Sequence, residues 1–234
     1  MIKYSKNFLI TFRDTDCNGN LKVTALVDFM QDIARIDASS LGVNFESPDV
    51  TYYWIISRSK INILHTPKID ETIRIETHHS GMDKLFAVRE FQIYDQNNLQ
   101  IGDITGYYVL MSTGTTWPVK IKKNPEFSGI DFPYTGKKVE KLVPLKENLE
   151  KSLKRRVFSS DIDGNGHMNN AHYVRWCFDM YETSELNMRK VKSFQIQYVK
   201  ELLENDEITI NRYDSGYIVG ESDETVYFIG KIAF

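Results

Sequence analysis

The sequence predicts an α+β protein made of two similar halves. Two observations support this prediction. A polar loop that runs into an apolar helix pattern occurs twice, at residues 16–21 and 163–168, so that Asp163 corresponds to Asp16. Each copy is followed by several short segments rich in β-branched and aromatic residues, which is typical of strands. A helix followed by a run of antiparallel strands, found twice, is an α+β pattern.

The first half is predicted to contain one helix and five strands. A strand at residues 8–13 leads into the first polar loop. A helix at residues 24–41 ends before Gly42, because glycine favours the left-handed conformation that closes a helix. The later strands are predicted at residues 52–63, 72–77, 86–94 and 100–111, with a hairpin turn at residues 96–98.

The second half repeats this order. Residues 155–159 lead into the second polar loop, and a helix is predicted at residues 170–182. Its apolar face is marked by side chains three and four residues apart, namely Tyr173, Trp176, Cys177, Met180 and Tyr181. Strands follow at residues 193–200, 207–212, 217–221 and 226–234. Corresponding residues are fewer positions apart here than in the polar loops, since Ile196 corresponds to Ile61. By the same alignment, the counterpart of Glu201 is Thr66.

A helix with one apolar face can be buried in the concave face of an antiparallel sheet. Two such units joined edge to edge form one extended sheet, which removes an exposed edge from each unit. This arrangement is a double hotdog fold, and two separately folded units without a shared sheet are the alternative. We divide the chain into an N-terminal hotdog at residues 1–114, a linker at residues 115–153 and a C-terminal hotdog at residues 154–234.

The predicted linker is rich in proline and in basic residues. It contains four of the six prolines, and residues 115–157 hold eleven Lys and Arg against five Asp and Glu. Such a stretch between two repeats is typical of a connection. The whole chain nevertheless carries a net charge of −3, which argues against a general nucleic-acid-binding protein.

Composition also indicates where the protein works. No apolar run approaches the length of about 18 residues that a membrane helix needs. The two cysteines, Cys17 and Cys177, do not make a disulfide framework, and the N-terminus lacks the apolar region of a signal peptide. We therefore expect no membrane span and a cytoplasmic location.

The second polar loop carries residue types that suit catalysis. Asp163, Asn165 and His167 alternate with glycines that permit a tight turn. Asn169 and Asn170 are favoured N-cap types, so the loop directly precedes the N-terminus of the predicted helix. The positive end of a helix dipole stabilises negative charge, including a developing oxyanion.

These residues resemble the signature of a known family. The motif Asp-x-Asn-x-His-x-Asn-Asn at residues 163–170, followed by Tyr173 and Trp176, and the Tyr-x-x-Glu segment at residues 198–201 are similar to those of the acyl-acyl-carrier-protein thioesterases, the plant and bacterial enzymes that release fatty acids. The plant pattern usually has Cys after this Glu. Here Leu202 takes that place, which excludes a thiol nucleophile at this position.

The resemblance implies an enzyme that hydrolyses the thioester between a fatty acyl chain and the phosphopantetheine arm of acyl carrier protein, with no cofactor and no metal ion. The catalytic residues carry over as Asp163, Asn165, His167 and Glu201. Either carboxylate, of Asp163 or of Glu201, can activate water or attack the thioester directly. The sequence leaves this division of roles open.

The resemblance also implies a partner, and the sequence offers candidates for contacts with the substrate. Asn169 and Asn170 are candidate substrate-binding residues, and Met30, Ile33 and Ala34 on the first predicted helix are candidates for the wall of the acyl pocket. Acyl carrier protein is strongly acidic, so we expect the basic stretch to attract it through Lys120, Lys122, Lys123, Lys154, Arg155 and Arg156. A solvated surface without a partner is the alternative for this stretch. A homodimer is one option for the assembly.

The two halves differ at the positions that carry the chemistry. Asn20 stands where the second half has His167, and Thr66 stands where it has Glu201. Catalytic groups that act as a unit fail together when one is lost. We therefore expect one functional site per chain, built on the second half.

Two other interpretations stay open. A hotdog thioesterase can act on acyl-coenzyme A instead. Residues 161–166, Asp-x-Asp-x-Asn-Gly, also match the start of a calcium-binding EF-hand loop, which would indicate a calcium-dependent or acyl-binding module without catalysis. However, the twelfth loop position is His172 instead of Glu, and a strand-like segment precedes the loop instead of a helix.

Overall fold

The computed structural model describes residues 3–40, 52–112, 117–120 and 137–234. The helices within these residues are α1 (Val23–Ser40), α2 (Asn170–Phe178) and α3 (Thr183–Met188). The strands are β1 (Tyr4–Leu9), β2 (Tyr52–Ile63), β3 (Thr72–Asp83), β4 (Phe86–Tyr94), β5 (Gln100–Ser112), β6 (Leu149–Arg156), β7 (Ser193–Tyr198), β8 (Glu207–Tyr213), β9 (Tyr217–Ser222) and β10 (Thr225–Ala233).

These strands form one antiparallel sheet in the order β1-β3-β4-β5-β2-β7-β10-β9-β8-β6. The second half follows the order of the first half in reverse, and the halves join where β2 pairs with β7. Lys60 lies opposite Gln195 at this junction, and the two are counterparts in the repeat, so an approximate two-fold axis passes through the pair. The prediction of a double hotdog with one extended sheet is confirmed, and the alternative without a shared sheet is wrong.

The two main helices contact each other and bury their apolar faces against the sheet. Met30 and Ile33 of α1 and Cys177 of α2 are fully buried, and they belong to one core cluster that includes Phe194 and Phe228 from the second half of the sheet. Burial of each large apolar side chain stabilises the fold by about 1.5–3 kcal/mol. Because one core draws on both halves, we expect them to unfold together.

Cys177 is a core residue, as the apolar pattern of the sequence indicated. A Cβ atom placed at Gly230 of β10 would lie 2.7 Å from Sγ of Cys177, so the missing side chain at Gly230 lets α2 approach the sheet. Burial raises the pKa of the Cys177 thiol. The thiolate is the nucleophilic form of cysteine, so this environment disfavours nucleophilic chemistry at Cys177.

The region before the first polar loop differs from its prediction. The strand expected at residues 8–13 lies at Tyr4–Leu9, and Phe12–Asp14 form a short 3-10 helix. The backbone N–H of Thr11 donates to the carboxylate of Asp14 over 2.9 Å, which turns the chain before the loop. The turn was predicted as part of a strand because its residues include β-branched and aromatic types, which strands favour.

The prediction of a helix at residues 170–182 is wrong after Phe178. α2 ends at Phe178, and the N–H groups of Met180 and Tyr181 donate to Cys177 and Phe178, three residues back. This tighter turn still directs both side chains into the core, so the periodicity of burial continues after the α-helix has ended. The predicted end of the first helix, Leu41 and Gly42, lies outside the described residues.

One strand extends well beyond its predicted limit, and another was not predicted as a strand. β3 continues to Asp83 instead of ending at residue 77. β6 begins at Leu149, inside the range assigned to the linker. β6 is an edge strand whose residues alternate between exposed and half-buried, so its apolar signal is weak. Much of the remaining linker, including Lys122 and Lys123, lies outside the described residues.

An ion pair fastens α1 to the sheet. Arg89 of β4 donates to the carboxylate of Asp37 in α1, and both residues are buried. Arg89 also donates to Oγ1 of Thr77 over 3.3 Å and lies opposite His79 in the β3–β4 pairing. Removal of one partner of a buried ion pair is costly because the other charge stays buried.

Among the described helices, none combines the length and the apolar composition that a membrane crossing requires.

The pH dependence of stability provides a first prediction. Burial, together with the positive charge of Arg89, lowers the pKa of His79 to about 4. Between pH 6.5 and pH 4 the unfolded chain therefore binds more protons at this residue than the folded chain does, and stability falls as the pH falls. We expect His79 to account for a loss of about 2 kcal/mol between pH 7 and pH 5.

The matched variant is His79→Asn, since the amide oxygen of Asn can replace Nδ1 as the acceptor for the N–H of Gly81, a contact of 3.2 Å. Urea unfolding of both proteins at pH 7 and pH 5 measures the effect. The variant should lose less stability on acidification, and equal losses would contradict this assignment.

Candidate functional site

The second polar loop is a tight turn that its own residues stabilise. The N–H of Asp163 donates to the carbonyl oxygen of His167 over 2.9 Å, and the N–H of Asn165 donates to Oδ1 of Asp163 over 2.8 Å. Gly166 has a φ of 80°, in the left-handed region that glycine tolerates best. Asp163 therefore holds the backbone that carries Asn165 and His167.

The loop brings His167 against Glu201, which follows β7. The N–H of Met168 donates to the carbonyl oxygen of Leu202 over 2.9 Å, and this bond joins the loop to the segment that carries Glu201. Nδ1 of His167 lies 2.6 Å from Oε2 of Glu201, and the two side chains are 38% and 54% exposed. The pair is thus preorganised and also accessible from solvent.

The pair has the geometry of a positioned general base. When the carboxylate of Glu201 accepts a hydrogen bond from Nδ1–H, the lone pair of the imidazole is on Nε2. Nε2 makes no hydrogen bond to a described residue, so it can accept a proton from water. The side chain of Asn165, on the same loop, is exposed and its amide is a hydrogen-bond donor.

Asn169 caps α2 as its residue type predicts, and both Asn169 and Asn170 also contact Gln31, which the sequence analysis did not identify. Oδ1 of Asn169 caps α2 by accepting from the N–H of Ala171 over 2.9 Å, and it also accepts from Nε2 of Gln31 over 3.3 Å. Nδ2 of Asn170 donates to Oε1 of Gln31 over 3.4 Å. The start of α2 is therefore fixed against the middle of α1. The capping role follows from residue type, but the role of Gln31 depends on contacts between the two halves of the chain.

A second group of titratable side chains surrounds His172 of α2. Nδ1 of His172 is 3.0 Å from Oδ1 of Asp161. Burial and the charge of Arg175 lower the pKa of His172, although Asp161 opposes them. Partial desolvation raises the pKa of Asp28, an exposed residue of α1, although Arg175 and His172 oppose it. Asp28 was not predicted to belong to this group, because its proximity to His172 depends on how α1 packs against α2.

The calcium interpretation has little structural support. Asp161 would be the first ligand, but its Oδ1 pairs with His172 and its Oδ2 accepts from the N–H of Phe158 over 3.0 Å. His172 occupies the position that a bidentate Glu takes in an EF-hand. Within the described part of the chain, no group of three or more His, Cys, Asp and Glu side chains is arranged to hold a metal ion.

The first polar loop has the same backbone but different side chains. The N–H of Asp16 donates to the carbonyl oxygen of Asn20 over 2.8 Å, as in the second loop. Nδ2 of Asn20 bonds back to Asp16 over 3.2 Å, and Nδ2 of Asn18 donates to Asn187 of α3 over 2.6 Å. The polar groups of this loop are therefore engaged by protein atoms, and Thr66 provides no carboxylate beside them.

Comparison with known proteins identifies the family. Residues 1–127 match the model of the acyl-ACP thioesterase N-terminal domain, and residues 143–227 match that of the acyl-ACP thioesterase C-terminal domain. A chloroplastic oleoyl-acyl carrier protein thioesterase from Coriandrum sativum is 21% identical over 226 residues, which cover 88% of this chain and 61% of that protein. The chain thus spans about three fifths of the length of this relative.

Solved structures have the same fold. A Lactobacillus plantarum protein with the provisional description of oleoyl thioesterase has a TM-score of 0.84 at 25% identity, covering 99% of this chain and 95% of its own. An acyl-ACP thioesterase from Bacteroides thetaiotaomicron has a TM-score of 0.84 at 21% identity, covering 99% and 97%. Together with the matches of both domain models, these similarities show that the chain belongs to the acyl-ACP thioesterase family.

Proposed function

We propose that this chain hydrolyses the thioester of fatty acyl-acyl carrier protein and releases a free fatty acid. The observation that carries the proposal is the contact of 2.6 Å between His167 and Glu201, which only the second half of the repeat can make. Membership of the family indicates the substrate class. Acyl carrier protein is the proposed partner, and a homodimer and a cytoplasmic location stay predictions.

In the proposed reaction, Nε2 of His167 takes a proton from water while the water oxygen attacks the thioester carbonyl carbon. The amide of Asn165 and the N-terminus of α2 stabilise the resulting oxyanion. The intermediate collapses as the carbon–sulfur bond breaks, and the imidazolium returns its proton to the leaving thiolate. The products are a fatty acid and the free thiol of the phosphopantetheine arm. Glu201 orients His167, and Asp163 stabilises the second polar loop.

The acyl chain is proposed to lie beside α1. Gln31 of α1 contacts both asparagines at the start of α2, so α1 passes close to the catalytic loop. Its neighbours Met30 and Ile33 are fully buried, and Ala34 packs against the same core. These apolar side chains are of the type that lines an acyl pocket.

The direct test is hydrolysis of a series of acyl-acyl-carrier-protein thioesters of different chain length, with the matching acyl-coenzyme A series in parallel. Turnover that prefers the carrier-protein substrates supports the proposal. A preference for coenzyme A would identify the alternative thioesterase, and an absence of turnover on both series would refute the proposal.

The substitution Glu201→Gln should lower turnover by about 10²-fold or more, because it removes the carboxylate that orients the imidazole. The matched control is Glu204→Gln, which makes the same change at an exposed residue three positions away. Thermal unfolding of both variants reports whether the fold is intact. If a folded Glu201→Gln protein has the turnover of the control, Glu201 is not part of the site.

A comparison of the two loops tests whether the chain has one site. His167→Ala should abolish nearly all turnover. Asp16→Ala should mainly reduce stability, by about 1 kcal/mol, because Oδ1 of Asp16 accepts from the N–H groups of Asn18 and Asn20 at an exposed site. Steady-state rates and urea unfolding measure the two effects. A His167→Ala protein that keeps about half of the wild-type rate would show that the first polar loop also forms a catalytic site.

The basic stretch is the proposed attraction site for the acidic carrier protein. Lys154 and Arg156 are exposed on β6 and Lys120 is exposed in the linker, whereas Arg155 pairs with Asp179 over 2.9 Å. We expect reversal of the three exposed charges to Glu to raise KM for carrier-protein substrates, more strongly at low salt, and to spare acyl-coenzyme A.

The control for this experiment is Lys6→Glu on β1, at the opposite edge of the sheet. It should leave KM for both substrate types unchanged. Equal increases in KM for carrier-protein and coenzyme A substrates in the triple variant would count against docking at this surface.

A further inference from the structure

The hydroxyl of Tyr173 holds the chain directly beside Glu201. The N–H of Leu202 donates to the Tyr173 hydroxyl oxygen over 2.9 Å, and both residues are buried. The carbonyl oxygen of the same Leu202 accepts from Met168 of the catalytic loop. Both backbone polar groups of the residue after Glu201 are therefore bonded to fixed parts of the structure, one to α2 and one to the loop that carries His167.

The ring of Tyr173 is itself held by two other aromatic rings. It meets Tyr198 edge-on at 5.3 Å and Phe228 edge-on at 5.5 Å, with interplanar angles of 89° and 87°. The hydroxyl of Tyr198 donates to the carbonyl oxygen of Asn170 over 3.2 Å. Edge-to-face pairs of this kind fix ring orientation. We call Tyr173, Tyr198 and Phe228 the aromatic trio.

The repeat shows that this support is specific to the catalytic half. When the two halves are aligned, the counterparts of Tyr173 and Leu202 are Leu26 and Pro67. Leucine has no hydroxyl to accept a hydrogen bond, and proline has no N–H to donate one. The bond from the loop to the segment after the strand is nevertheless kept, since the N–H of Leu21 donates to the carbonyl oxygen of Pro67 over 2.9 Å. The first half, which lacks the carboxylate of Glu201, therefore also lacks both the donor and the acceptor of the bond between Leu202 and Tyr173.

The rest of the trio has also been replaced in the first half. Tyr198 pairs with Phe228 in the sheet, and the corresponding pair of the first half is Ile63 with Gly102. A small apolar cavity lies there, lined in part by Leu26, Ile63 and Gly102, the three counterparts of the trio. The same lining includes Thr66, the counterpart of Glu201. The first half thus has smaller side chains and a small cavity where the second half has three packed rings.

We infer that Tyr173 is a positioning residue for the proposed hydrolysis: by holding the Leu202 amide, its hydroxyl keeps the carboxylate of Glu201 against Nδ1 of His167. This inference rests on the proposed function. A displacement of a catalytic group by about 1 Å can reduce a rate by about 10²-fold, so a bond adjacent to Glu201 has a large effect on the reaction.

The ionisation of Tyr173 agrees with this role. Burial, together with the negative charges of Glu201 and Asp163, raises the pKa of Tyr173, although the hydrogen bond from Leu202 opposes them. The hydroxyl therefore stays neutral at physiological pH, and it adds no further negative charge beside the carboxylate of Glu201.

The test is Tyr173→Phe, which keeps the ring and removes only the hydroxyl. We expect kcat to fall about 10- to 100-fold with KM within about two-fold of wild type, because the lost interaction orients a catalytic group and binds no substrate. The control is Tyr181→Phe, which removes a hydroxyl from another buried tyrosine that packs on Phe234, with no predicted role in the site. It should leave kcat unchanged.

A double-mutant cycle separates positioning from a general loss of structure. If Tyr173 acts through Glu201, Tyr173→Phe should have no further effect on kcat in the Glu201→Gln background. If it acts on the fold alone, the same factor should appear in both backgrounds, and the inference is overturned. Wild-type turnover in a folded Tyr173→Phe protein would overturn it as well.

Hydrogen exchange of the Leu202 amide tests the structural step without reference to turnover. Exchange should be faster in Tyr173→Phe than in wild type and unchanged in Tyr181→Phe, and equal protection in all three proteins would overturn the inference. An inactive wild-type protein would refute the proposed function and the inference together. An active wild-type protein with a fully active Tyr173→Phe variant would refute the inference alone.

Discussion

The pairing of β2 with β7 is the constraint on which the rest of this structure depends. It joins two hotdog units about the opposed pair Lys60 and Gln195 and makes one sheet from ten strands. The same junction places α1 beside α2, so that Gln31 reaches the residues that cap α2. The second polar loop is therefore oriented by contacts from both halves, although its proposed reactive groups belong to only one of them.

The repeat explains which features of the loop concern folding and which concern chemistry. Both loops keep an aspartate that accepts backbone N–H groups and a bond from the loop to the neighbouring strand end. These shared contacts form the turn and fix it to the sheet. The features found only in the second half are the imidazole, the carboxylate, and the aromatic trio behind them. We interpret the shared set as structural and the unshared set as functional.

Much of this organisation can be predicted from the sequence, because local residue patterns determine local structure. Alignment of the two halves predicted the counterparts Met168 and Leu21 correctly, and strand registers confirm that Ile61 corresponds to Ile196. Burial periodicity misplaced the end of α2, since Met180 and Tyr181 stay buried through a tighter turn. The sequence placed Tyr173 on the apolar face of the second helix and in the family motif. It predicted no role for the hydroxyl, because the bond to Leu202 joins residues that are 29 positions apart in the chain.

The central claim is that each chain has one working site, which the pair His167 and Glu201 forms. Its most direct test is calorimetric titration of the Glu201→Gln protein with an acyl carrier protein whose acyl chain is joined by a thioether that cannot be hydrolysed. The account predicts one carrier protein bound per chain, because Asn187 and Asp16 already engage the side chains of the first loop. A stoichiometry of two per chain would contradict it.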